Sequence, residues 1–158
     1  MKPVVGFIFG ADQQAVIACN TAHLLLPKLD AELRIRLVSL VEATVAHIAS
    51  KGLKRVGIVA SPTTVKSQLY SQPLQAIGVT LVSPSAPQLV IIEQVIRGVI
   101  AGNAHKHRQQ LRSIIQSMLS DCEAVVLGCT ELSVLAERLP HCIDPLDIVT
   151  RKLLDKIK

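Results

Sequence analysis

Aromatic residues are nearly absent: the chain of 158 residues holds no tryptophan, one tyrosine and two phenylalanines. Its core must therefore rest on Val, Ile, Leu and Ala, and base stacking on aromatic side chains has no platform. Charge is also sparse, at 18% of residues. The net charge of +5 comes from scattered basic side chains, with small clusters at Lys51, Lys54 and Arg55 and at His105–Arg108. This distribution argues against a nucleic-acid partner. No apolar run is long enough to span a bilayer, because Lys, Arg, Glu or Pro interrupts each one, so no membrane association is expected. The apolar N-terminal stretch lacks a small-x-small cleavage site, which places the protein in the cytoplasm. Four cysteines in a chain of this size do not form a disulfide scaffold. Gly-x-Gly-x-x-Gly and P-loop patterns are missing, so a nucleotide cofactor has no support. The cysteines lack Cys-x-x-Cys spacing, so a metal is not expected either.

Hydrophobic residues make up 49% of the chain, enough for an ordered core in one domain or two small lobes. Short runs rich in Val, Ile and Leu fall at 15–18, 36–41, 55–60, 79–82 and 124–127, as buried parallel strands do. Helical patterns lie between them, at Val41–Ser50 with Gly52 to end it, Pro87–Ile100, His107–Leu119 and Pro145–Ile157. Strand and helix in alternation predict an α/β fold with parallel sheets. Val4–Phe9 reads either as a further strand or as the tail of a helix ended by Gly10. If it is a strand, residues 10–14 are too short a connection to lay it parallel beside 15–18.

Two segments carry the chemistry. Val16-Ile17-Ala18-Cys19-Asn20-Thr21 and Val126-Leu127-Gly128-Cys129-Thr130-Glu131 each run from a buried strand through a small residue to a thiol and a helix start. A thiol at a helix N-terminus has its thiolate favoured, and the same N–H groups can hold a carboxylate. Two such tips facing one carbon would let one thiol abstract a proton and the other deliver one, inverting a stereocentre. His23, one helical turn after Cys19, is a weaker candidate as a nucleophile's partner. Thr63 and Thr64, after the strand at 55–60, suit an N-cap or an anion contact.

With those residues in view, the chain resembles the cofactor-independent aspartate/glutamate racemase superfamily, most closely its aspartate racemase branch. Ala18-Cys19-Asn20-Thr21-Ala22-His23 and Gly128-Cys129-Thr130-Glu131-Leu132 are similar to that branch's two cysteine motifs. Val41–Thr44, Val59–Tyr70 and Ile143–Asp147 resemble its intervening and C-terminal segments. The resemblance implies two pseudo-symmetric α/β lobes: residues 1–41 with 146–158, carrying Cys19, and residues 42–145, carrying Cys129. It implies Cys19 and Cys129 as acid/base thiols, with Asn20, Thr21, Thr64 and Thr130 holding an acidic amino acid. It also implies no pyridoxal phosphate, nucleotide or metal, and a homodimer as a common assembly. Eighteen residues precede Cys19, where full-length relatives carry a longer segment with a Gly-Gly-Met-Gly type loop and a substrate-gripping basic residue, so the first lobe is expected to be truncated. Ile100 stands where some aspartate racemases have a carboxylate-binding Lys. The expected function is amino-acid racemisation on aspartate or a similar acid. The alternative is a non-catalytic relative that binds an acidic amino acid or a partner.

Overall fold

The computed structural model describes residues 14–135 and 139–155, together with the backbone of 7–9. Seven strands form two sheets among the described residues. The first holds β1 (Phe7–Phe9), β2 (Ala15–Ile17) and β3 (Leu37–Val38), in that order. β1 runs antiparallel to β2, with Ile8 opposite Val16, so Phe7–Phe9 is a strand and not a helix tail. The short connection permits only this direction, as expected. β2 and β3 are parallel, joined by a 3-10 helix at Thr21–Lys28 and by α1 (Ala31–Arg36). The second sheet holds β4 (Arg55–Val59), β5 (Thr80–Val82), β6 (Ala124–Leu127) and β7 (Cys142–Ile143) in the order β5-β4-β6-β7, all parallel.

Helices cover both faces of this sheet, which explains why its strands read as continuous apolar runs. Side chains alternate along each strand. Val59, Val125 and Leu127 pack on one side against α5 (Ala86–Ile100), α6 (Ala104–Leu119) and α7 (Thr130–Leu135), through Ile92, Leu111, Ile115 and Leu132. Val56, Ile58, Ala124 and Val126 face the other way, against Val41 and Ile48 of α2 (Leu40–Ser50), Leu74 of α4 (Ser71–Ala76), and Tyr70. A third cluster joins Val16 of β2 to Leu40 and Ala43 of α2 and to Val149 and Leu153 of α8 (Pro145–Leu154). α2 therefore serves two cores from neighbouring positions on its surface.

The long helices match their expected spans to within a few residues, and the starts of α2, α5 and α8 carry local signals, whereas α6 begins at Ala104 with no side-chain cap. Ser39 accepts from Glu42 N–H, and Asp144 accepts from Leu146 N–H ahead of Pro145. Ser85 and Gln88 form a reciprocal capping box before α5. The strand expected at 36–41 shortens to Leu37–Val38, because the Ser39 cap draws Leu40 and Val41 into α2. Residues 156–158 of the expected C-terminal helix lie outside the described residues.

Candidate active site

Cys19 follows β2 directly, and its N–H donates back to Ile17 O in a tight turn. His23 anchors that turn from the 3-10 helix. Its Nε2 accepts from Leu40 N–H at 2.9 Å, so the ring proton sits on Nδ1 and donates to Cys19 O, also at 2.9 Å. Both ring nitrogens are committed to backbone, which removes His23 as a partner for the thiol. Burial holds its imidazole below the ordinary range for histidine. His23 is thus a structural clamp between the Cys19 turn and the start of α2.

Asn20 and Thr21 enter from the same turn. Thr21 Oγ1 lies 2.8 Å from Thr64 Oγ1 and 3.3 Å from Ser61 Oγ, and Ser61 and Thr64 are 3.0 Å apart. Ser61 is the N-cap of the five-residue helix α3 (Pro62–Lys66), accepting from Thr64 N–H. The N-cap suggested for Thr63 or Thr64 is Ser61 instead, with Pro62 at the first helical position. The structure so brings two expected residues, Thr21 and Thr64, into one hydroxyl cluster across the two sheets. Asn20 is 2% exposed, and Tyr70 OH donates to its Oδ1. Asn20 Nδ2 has no hydrogen-bond partner among the described residues.

Cys129 follows β6 and sits beside the start of α7. Its thiol donates to Glu131 Oε2 at 2.9 Å, and Thr130 Oγ1 donates to the same oxygen at 3.4 Å. Burial, then the Glu131 carboxylate and more weakly the charge of Cys19, raise the Cys129 thiol well above its ordinary range. The expected preference for thiolate at a helix start is therefore overturned here: α7 is only six residues long, and desolvation with a neighbouring carboxylate outweighs its dipole. Thr130 joins this carboxylate, while Thr21 and Thr64 pair with each other. Gly128 makes the close approach feasible, since a Cβ there would lie 2.8 Å from Ala60 Cβ.

Beside α3 opens a groove of about 520 Å³ lined by Ser61, Thr63, Arg97 and Ile100, in which Arg97 is held by Glu93 at 2.7 Å. All four cysteines are free, and burial pushes Cys142 up to about 11. Among the described residues, no group of three or more His, Cys, Asp or Glu side chains suited to a metal gathers. Sequence reasoning passed over Ser61, Glu131 and Tyr70. Ser61 was detectable as a Ser-Pro helix start, and Glu131 by its place two residues after Cys129. Tyr70 lies 50 positions from Asn20 and gave no local signal.

Residues 10–153 match the Asp/Glu/hydantoin racemase family. The chain belongs to that family. Glutamate racemase of Latilactobacillus sakei subsp. sakei is 31% identical over 139 residues, which are 82% of this chain and 48% of that protein. The chain spans about half the length of such racemase relatives. Among solved structures, aspartate racemase of Picrophilus torridus superposes with a TM-score of 0.78 at 22% identity, over 89% of this chain and 60% of that one. An aspartate racemase homologue from Pyrococcus horikoshii OT3 gives 0.74 at 26% identity, over 89% and 65%. The racemase fold is thus an α/β arrangement of parallel sheets flanked by helices in this chain as well. No described helix is long and apolar enough to cross a membrane.

Proposed function

We propose that the protein racemises aspartate or a similar acidic amino acid without pyridoxal phosphate, using Cys19 and Cys129 as its two acid/base groups. Residues 1–41 with 146–158 form one lobe and 42–145 the other, with Asn20, Thr21, Thr64 and Thr130 holding the substrate between them. The observation that supports this reading is the bond between Thr21, beside Cys19, and Thr64, just past the tip of β4, the strand paired with the β6 that leads into Cys129. Membership of the racemase family and the superposition on aspartate racemases support the same chemistry.

In one direction, Cys19 thiolate takes the proton from one face of Cα, breaking the C–H bond and leaving its electron pair delocalised into the α-carboxylate. Cys129, kept protonated by burial and by Glu131, then delivers its own proton to the opposite face. Cys129 is left as thiolate and Cys19 as thiol, the arrangement the reverse direction needs. Homodimers are the proposed assembly and the cytoplasm the proposed location.

Incubation with L-aspartate in heavy water should place deuterium at Cα and form the D-enantiomer. Cys19→Ser and Cys129→Ser should each lower the racemisation rate by more than about 100-fold, the scale of a lost general acid or base. A single mutant at the wild-type rate overturns the two-base assignment. The alternative is a non-catalytic relative that binds an acidic amino acid or a partner, a reading favoured by the Cys129 thiol's being taken up by Glu131. Calorimetric binding of aspartate with no isotope exchange would select it.

A further inference from the structure

Asn20 is buried, yet only half of its amide is used. Its Oδ1 accepts from the hydroxyl of Tyr70, while both N–H groups on Nδ2 are left without an acceptor among the described residues. Native interiors pair buried donors almost without exception, so this donor, on the residue between Cys19 and Thr21, is suited to an acceptor that a ligand supplies. Which end of the amide is offered to a ligand is decided elsewhere. Tyr70 is 1% exposed, follows the turn at Gln68 (φ 57°), and packs in the core of the second sheet. Nearby in the same core, Thr44 donates its hydroxyl to Leu40 O at 2.6 Å, on the residue whose N–H His23 clamps. Burial keeps the phenol protonated far above neutrality, so it is available as a donor.

We infer that Tyr70 is a positioning residue for the site: its hydroxyl locks the Asn20 amide with oxygen toward the core and both N–H donors toward the ligand's carboxylate. The inference rests on the amino-acid reading of the site above. Without the phenol hydroxyl, the amide can turn by 180° and present its oxygen to the carboxylate, replacing two attractive contacts with a repulsive one. Tyr70 would thereby act on substrate binding without touching substrate, and no thiol would be altered.

The test compares wild type, Tyr70→Phe and Asn20→Asp, using L-aspartate as the probe in calorimetry and in the heavy-water exchange assay. Tyr70→Phe should raise KM and Kd about tenfold or more, one charge-assisted hydrogen bond's worth, with kcat within threefold and the pH profile of kcat unmoved. Asn20→Asp keeps an acceptor for Tyr70 but replaces the N–H donors with oxygen, and should abolish aspartate binding in protein that circular dichroism shows to be folded. If Tyr70→Phe fails to fold, the Asn20 side-chain amide signals of the wild type carry the test: aspartate should shift both N–H resonances. Unchanged KM in Tyr70→Phe, or aspartate binding retained by Asn20→Asp, overturns the inference while leaving the racemase reading intact. Wild type that neither binds nor exchanges aspartate overturns the racemase reading itself.

Discussion

His23 spends both ring nitrogens on backbone, so its role is set by what it keeps out as much as by what it holds. Protonation would force a second N–H toward Leu40 N–H, and burial already disfavours the cation. The folded-state pKa lies below the unfolded value of about 6.5, so the unfolded chain binds the extra proton first as pH falls. Stability from this residue is complete above about pH 6.5 and declines below it, by at most about 1.4 kcal/mol per pH unit for one proton. Urea melts between pH 7.5 and 5.5 should show that decline, and His23→Gln should flatten it; an equal slope in the mutant would remove His23 from the explanation. Glu131 illustrates the opposite balance, since the same carboxylate that keeps Cys129 protonated is the acceptor its proton already faces.

Elements in this fold were readable where a helix start carries its own chemistry. Ser39, Ser85 and Asp144 each cap a long helix, and the period of apolar residues beyond them needs no tertiary information. The short pieces were not readable. α1 buries none of its residues, and α3 has five residues, too few for a periodic stripe. The strand tip at Gly128 is an element-scale feature, because β6 must run close against β4 for its loop to reach the site. Gly128→Ala would put a Cβ 2.8 Å from Ala60 Cβ and 3.1 Å from Ile58 Cδ1, and backbone on both sides must shift. Denaturant unfolding should show a loss of about 1–3 kcal/mol, the usual cost of overpacking. Full stability in the variant would show that the approach has slack.

The whole molecule is stitched together by α2, which lends Val41 and Ile48 to one core and Leu40 and Ala43 to another, and by the bond between Thr21 and Thr64. If that bond couples the two sheets, a double-mutant cycle of Thr21→Val and Thr64→Val should give a coupling energy of about 0.5–1.5 kcal/mol in unfolding. Two separate transitions with additive losses would mean the sheets unfold independently. Local pattern alone settled the α/β class, the strand runs, the capped helices and the two cysteine motifs, since each is written in residues a few positions apart. Only the tertiary structure decided that Ser61 completes the hydroxyl cluster, that Tyr70 faces Asn20, that His23 is a clamp, and that Cys129 is held as a thiol. Those outcomes depend on burial and on contacts between segments tens of residues apart, where no periodicity or propensity carries the information.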